Sequence, residues 1–400
     1  MHFLCKVKVL VLHQHFKTPY SGGAIRSYYL AQALVNDGIE VLVIAGHNEK
    51  YKREQVDGIE VHYLNVPYNN SYGFLKRSIS FLRFILKAVK KAAEFDGVDL
   101  CYAISVPLTV GIAAKRIKRR NGIPFIFEVG DLWPDAPVQM GFVKNRFFKK
   151  RLYALEQEIY QSATSIVALS PAIQAAIEMK ISDKKISVIP NMADLDFFEK
   201  TKKDAALELQ YNVQGKFVVA YIGALGIANG LEYMLECANA SRKSSLPIQF
   251  VICGEGAIKP QLEKNIKQLV LENVTLLDFT NRDGVKDILN ISDAAFISYK
   301  PVRILETGSP NKFFDALAAG KLCIINFGGW IREEIEAANC GFYIDPFQPN
   351  DFIKKVKPFL SDRLLLENYQ FNARTLAEQK FSRETLSRQF VELITTTIKN

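Results

Sequence analysis

The sequence predicts an α/β protein built from two doubly wound domains. Its 400 residues exceed what one hydrophobic core usually serves. Short β-branched runs alternate with helical-period stretches, and that rhythm runs through twice with a break near Pro190-Asn191. Strand, helix, strand in this order gives a parallel sheet with helices on both faces. Its ligand loops belong at the carboxyl ends of the strands.

In the first half the strands are expected at Lys6–Leu12, Glu40–Ala45, Ile59–Leu64, Leu100–Ile104, Pro124–Val129 and Ser165–Leu169. In the second half they are expected at Phe217–Ile222, Gln249–Cys253, Val274–Leu277, Ala294–Ser298 and Lys321–Ile325. Helical patterns fill Ala24–Asn36, Phe74–Phe95, Leu231–Lys243 and Pro310–Ala319, and the tail from Asn350 onward is helical. Pro190 ends a strand and the run past Phe198 is polar, so we divide the chain at 1–190, a linker 191–215, and 216–378, with 379–400 as a last helix.

The net charge of +9 is uneven: 26 Lys plus Arg face 16 Asp plus Glu in residues 1–190, against 25 and 26 in residues 191–400. A uniformly basic nucleic-acid coat is excluded, and one basic domain is left to face something anionic. The six cysteines show no C-x-x-C spacing and read as small core residues of a reducing compartment. Lys6 to Leu12 reads as a first strand rather than a signal peptide, and no run is long and apolar enough for a membrane span. The expected location is cytoplasmic, at most on a membrane surface.

The segment Arg303 to Gly320 carries the clearest chemistry. Ser309 suits an N-cap, Pro310 the first helical position and Gly320 the residue past the end. Glu306 then lies in the preceding loop, Lys312 in the first turn, and Asp315 on the same face roughly 4.5 Å further along the axis. A helix N-terminus with Ser309, Asn311 and Lys312 at its mouth suits a diphosphate, leaving the two acids for hydroxyl-rich groups on either side. A nucleotide-sugar has that order: ribose, two phosphates, sugar. An ordinary surface helix would carry the same caps.

Other loops repeat the pattern. The first strand runs into His13, His15, Gly22, Gly23 and Arg26, and adjacent glycines allow close approach of a ligand. A histidine at a strand end is more often structural than catalytic, so His15 is an acceptor-side candidate only. Glu128-Val-Gly-Asp131-Leu-Trp133-Pro-Asp135 throws two carboxylates into a proline-stiffened loop. Asp131 is the candidate for deprotonating or positioning an acceptor hydroxyl, or else a cap for the loop backbone. Gly223 and Asn229 bracket the loop after the first strand of the second half, and Glu255 lies between two glycines after the next. Basic residues with interleaved apolar ones occur at Lys76–Lys91, Lys115–Arg120 and Lys144–Arg151; the first has the spacing of an interfacial helix facing anionic lipid, although a solvated face is the default for each.

The Glu306–Gly320 segment resembles the donor-site signature of retaining glycosyltransferases of family 4. It more closely resembles the bacterial surface-polysaccharide branch, similar to the WbuB-like fucosamine and N-acetylhexosamine transferases. That branch reads roughly Glu-Thr-x-x-Pro-Ser-Lys-x-x-Glu-x-x-Ala-x-Gly. The Asp131 block resembles its Arg-Asp-Leu-Trp-Pro-Glu, with Gly130 in place of Arg, and Pro190-Asn191-Met-Ala-Asp194 resembles its hinge. Asp194-Leu-Asp196 also matches a metal motif of another glycosyltransferase fold, but it follows no active-site strand.

The resemblance implies the GT-B architecture, two Rossmann-like domains facing across a cleft, with residues 381–398 crossing back to the first. Glu306 would touch the transferred sugar and Asp315, standing where the family has Glu, the ribose. Gly22, Gly23, Gly223, Asn229, Glu255 and Arg282 would complete the donor site, and His15, Arg26, Trp133 and Asp135 the acceptor side. Many family members carry Arg and Lys where this chain has Ala224 and Asn229, which moves the phosphate charge to Lys312, Arg282 and the helix end. The implied reaction moves an N-acetylhexosamine or N-acetylfucosamine-type sugar from a UDP-sugar, without a metal, to a lipid-linked glycan of capsule, O-antigen or exopolysaccharide at an anionic membrane surface. A nucleotide-sugar 2-epimerase and an inactive glycan-binding subunit remain open alternatives.

Overall fold

The computed structural model describes residues 7–21, 25–69 and 72–399. These divide into two compact units, 1–190 with 384–400, and 191–383. In the first unit the strands are β1 (Lys8–Leu12), β2 (Glu40–His47), β3 (Lys52–Val56), β4 (Ile59–Asn65), β5 (Leu100–Ile104), β6 (Phe125–Val129), β7 (Ser165–Ala168) and β8 (Ile186–Val188). They form one sheet in the order β3-β4-β2-β1-β5-β6-β7-β8, parallel except for β3. The register places Val9 beside Val41 on one side and Leu100 on the other. Strands β5 and β6 are buried along their whole length, as expected for a sheet covered on both faces.

Strand β3 escapes the hydrophobic pattern because its sequence, KREQV, is polar and lies at the sheet edge. Its hairpin with β4 turns through Asp57 (φ 50°) and Gly58 (φ 84°), the two left-handed residues of a tight hairpin turn. The Asp-Gly pair was the available signal. β8 is three residues long and pairs with β7. The final helix, Arg383–Lys399, supplies Phe390, whose ring meets Tyr102 of β5 edge-on at 4.7 Å.

The second unit has β9 (Phe217–Ile222), β10 (Ile248–Cys253), β11 (Val274–Leu277), β12 (Ala294–Ile297), β13 (Leu322–Ile325) and β14 (Gly341–Tyr343). All are parallel, in the order β11-β10-β9-β12-β13-β14, so the strand order reverses between β9 and β12. In open α/β sheets a ligand crevice lies outside the carboxyl ends of the strands at such a switch point. Residues 191–198 are tied to this unit by a bridge between Ala193 and Ser382, with the Ala193 N–H donating to Phe381 O at 2.7 Å.

The helix Asn311–Ala318 buries Phe313, Phe314, Ala316 and Leu317. Phe313 and Phe314 pack with Trp330 and Phe381 at ring separations of 5.1–6.4 Å. With that face fixed in the core, Lys312 and Asp315 are left on the partly exposed side.

Candidate functional site

Three loops at the switch point of the second unit build one concentrated patch of chemistry. After β9 the chain passes Gly223 and Ala224, makes a short turn at Ile227–Asn229 and enters the helix Glu232–Lys243. The Lys300 N–H donates to Ala228 O at 2.8 Å and Ser298 Oγ to Asn229 O at 2.7 Å, fastening this loop to the one after β12. Gly254, after β10, has φ 153°, and a Cβ there would lie 1.9 Å from Gly223 O. The two loops meet backbone to backbone, which only glycine permits.

Lys312 reaches into this patch from the first turn of Asn311–Ala318. Its ammonium donates to the Tyr221 hydroxyl at 2.7 Å and to Asn229 Oδ1 at 3.3 Å, and lies 4.0 Å from the Tyr221 ring centre. The Tyr221 hydroxyl in turn donates a hydrogen bond to Ala224 O at 2.7 Å. Among the described residues no carboxylate pairs with Lys312, and burial lowers its pKa to about 7. A cation held by neutral groups at a helix N-terminus is a site prepared for an anion.

Asp315 stands one turn further on. Burial raises its pKa to about 7, Arg282 opposes that shift, and the Asp194 carboxylate adds to it. Glu306 lies in a short 3-10 turn, Arg303–Thr307, beside Gly328 and Gly329. Gly329 has φ 82°, and a Cβ there would come within 2.8 Å of Glu306 O; one on Gly328 would come within 3.4 Å of Glu306 Oε1. The glycine pair keeps space open beside the Glu306 carboxylate. Sequence reasoning missed Gly328-Gly329 and Tyr221. The glycine pair gave the same strand-to-helix signal as Gly22-Gly23, whereas a tyrosine within an apolar strand reads as core.

Several expected roles change. Ser309 is not an N-cap: the helix begins after Pro310 with no side-chain cap, and Ser309 Oγ accepts the Asn191 N–H at 3.2 Å while Ser309 O accepts the Asn191 amide. Asn311 is exposed at the helix's first position. Arg282 is not a free phosphate ligand, since its guanidinium pairs with Asp194 and lies 3.9 Å over the Phe197 ring. Asp194 and Asp196 both pair with Arg383, so that Asp-x-Asp is a charge clasp. Glu255 pairs with Lys259 at 2.6 Å on the surface.

In the first unit, His13, Ser105 and Asp131 follow the adjacent strands β1, β5 and β6. His13 Nδ1 and Ser27 Oγ are 2.9 Å apart, and burial followed by the neighbouring His15 lowers the His13 pKa to about 3. Burial and Lys17 lower His15 to about 4, and its ring leans on Tyr68 at 4.5 Å. Both imidazoles are neutral at pH 7. Asp131 has no hydrogen-bond or ion-pair partner among the described residues. Its side chain is open to solvent, yet the surrounding protein raises its pKa by desolvation, which suits a proton acceptor more than a loop cap.

Gly22 and Gly23 lie outside the described residues. Arg26 is not an acceptor-side group. It is buried against Glu128 at 3.0 Å, donates to Ile189 O at 2.9 Å and to Pro190 O, and shares Glu128 with the Tyr102 hydroxyl. Asp135 likewise is engaged, by Tyr153 Oη at 2.8 Å and Lys180 Nζ at 2.6 Å. Trp133 is half-buried in the same loop.

Residues 20–197 match the family model Glycosyltransferase Family 4, and residues 207–376 match Glycosyl transferases group 1. The chain is a family 4-like glycosyltransferase. Its relatives include an alpha-D-kanosaminyltransferase of Streptomyces kanamyceticus, 25% identical over 44% of this chain. Another is the lipopolysaccharide 1,2-N-acetylglucosaminetransferase of Salmonella typhimurium, 21% identical over 60% of it. The alignments span 45% and 64% of those two enzymes' own lengths. Among solved structures, Anabaena Alr3699/HepE in complex with UDP-glucose superposes with a TM-score of 0.70 at 18% identity, covering 97% of this chain and 99% of that one. The likeness shows the fold, GT-B with two Rossmann-like units, for this glycosyltransferase.

Proposed function

We propose that this glycosyltransferase moves an N-acetylhexosamine or N-acetylfucosamine-type sugar from a UDP-sugar to a lipid-linked glycan in surface-polysaccharide assembly. The anomeric configuration is retained. The observation that carries the donor half is Lys312, a desolvated ammonium without an acid partner, beside a neutral glycine loop at the switch point. The diphosphate supplies the missing anion, and the N–H groups of Asn311–Ala318 share its charge. In this reading Glu306 faces the transferred sugar, Asp315 the ribose and Asp131 the acceptor hydroxyl, with Lys312 and the helix end standing in for a metal. The UDP-glucose held by Alr3699/HepE and the N-acetylglucosamine named for the Salmonella relative support the donor class; surface-polysaccharide assembly rests on the lipopolysaccharide in that relative's name and on the branch resemblance.

A panel of nucleotide-sugars, screened by thermal shift and then offered with lipid-linked acceptors, tests this. A UDP-sugar that stabilises wild type but not Lys312→Ala, and is transferred with retention in the presence of EDTA, is the expected result. An epimer formed without acceptor would replace the reading with a 2-epimerase. No transfer to any acceptor would leave a glycan-binding subunit.

A further inference from the structure

The helix Phe74–Ala92 buries one face and leaves an apolar stripe on the other. Phe84, Ile85, Ala88 and Ala92 are fully covered. Leu75, Ile79, Leu82 and Leu86 are 75, 48, 57 and 64% exposed, and their spacing of four, three and four residues sets them in one row. The helix contains six basic residues and no acid. Arg83 and Lys90 lie exposed beside the row and form no ion pair among the described residues, Lys90 acting on Glu94 only through its field.

The neighbouring helices continue this character. Successive crossovers from β4 to β5, β6 and β7 all step the same way along the sheet, so right-handed connection places the helices 74–92, 109–121 and 146–162 on one face. Lys115 pairs with Glu158, and Lys118 Nζ donates to Ser162 O at 2.8 Å, joining the second helix to the third. The second ends in Lys118, Arg119 and Arg120. The third opens with Arg146, Phe147, Phe148, Lys149, Lys150 and Arg151, its Phe147 ring 80% exposed. Basic segments far apart in sequence thus form one layer.

We propose that this layer docks on an anionic lipid bilayer, with the Leu75–Leu86 row entering the headgroup boundary and Arg83 and Lys90 facing lipid phosphates. The occupant must be apolar and negatively charged over the same area. A second copy paired through the same row would oppose like charges with no acid between them. The inference gives a lipid-linked acceptor a surface to be met on, but does not rest on the donor site.

The test is sedimentation of the full chain with vesicles of phosphatidylcholine, and of phosphatidylcholine mixed with phosphatidylglycerol. Wild type is expected to pellet with the mixed vesicles alone. Leu82→Ser with Leu86→Ser should stay in solution, and Arg83→Gln should lower mixed-vesicle binding about fivefold, with high salt doing the same. Circular dichroism and the thermal shift by UDP confirm that each variant is folded and keeps its donor site. Equal pelleting with both vesicles, binding unchanged in the serine variant, or a dimer in solution that the serine variant dissociates would each overturn the proposal.

Discussion

The Lys312 ammonium lies 2.7 Å from the Tyr221 hydroxyl and 4.0 Å from that ring's centre, a cation held by an aromatic rather than by an acid. A lysine so placed costs the empty protein stability and repays it only when an anion arrives. Lys312→Met therefore weakens UDP binding on the order of 100-fold, the scale of a charge-assisted contact in a partly desolvated site. The ligand-free variant melts at or above the wild-type temperature. Calorimetric titration with UDP and a thermal melt check both halves, and an unchanged affinity would remove Lys312 from the phosphate site.

The pH dependence follows from the same helix. Lys312 titrates at about 7 when folded and 10.5 when not, so from pH 7 to 10.5 the unfolded chain holds the extra proton and this group's contribution to stability rises with pH. Asp315 goes the other way: its folded pKa of about 7 lies above 3.8, so its contribution is present at low pH and lost as pH climbs through 7. In the proposed donor site the nucleotide-sugar needs the ammonium and the carboxylate together. Affinity should fall on both sides of pH 7, with proton uptake on the alkaline side and release on the acid side. Titrations in buffers of different ionisation enthalpy read the sign directly.

Much of the architecture is legible because buried parallel strands are written as unbroken β-branched runs, and the Glu306–Gly320 helix because caps and charge order lie within one short segment. What is not legible is pairing across the sequence. Arg26 and Glu128 lie 102 residues apart and Lys180 and Asp135 45 apart, so a free-looking charge in a loop can already be committed. Tyr221 is hidden for the opposite reason: it is a fully buried residue of an apolar strand, and nothing in that strand's pattern shows that its hydroxyl and ring face also hold Lys312.

Arg26 illustrates the consequence. Arg26→Met leaves Glu128 buried with only the Tyr102 hydroxyl, and loses the bonds to Ile189 and Pro190 where the chain leaves the first unit. Removing one partner of a buried pair costs about 3–5 kcal/mol. Urea denaturation should show that loss, with UDP affinity of the still-folded protein unchanged. A variant of normal stability and impaired acceptor turnover would restore the acceptor-side role expected from sequence.

Gly254 tests the contact between the loops after β9 and β10. A Cβ at this φ of 153° would sit 1.9 Å from Gly223 O, and the obstructing atom is backbone. Gly254→Ala must push the Gly223 loop away from Lys312, so UDP binding and stability should fall together. Near-normal UDP affinity in that variant would separate the loop from the donor site.

Asp315 tests the proposed hold on the donor's ribose. It is one methylene shorter than the glutamate of the resembled signature, and its carboxylate has no hydrogen-bond or ion-pair partner among the described residues, although Arg282 and Asp194 act on it electrostatically. A carboxylate accepting ribose hydroxyls discriminates UDP from its 2′,3′-dideoxy analogue, and Asp315→Asn should reduce that preference about fivefold to tenfold. The loss falls on UDP, while affinity for the analogue stays nearly constant. Asp315→Glu restores the longer reach and should retain the discrimination if helix and ribose are spaced as in the signature. Equal affinities of wild type for the two nucleotides would place the ribose elsewhere and leave Asp315 without a donor contact.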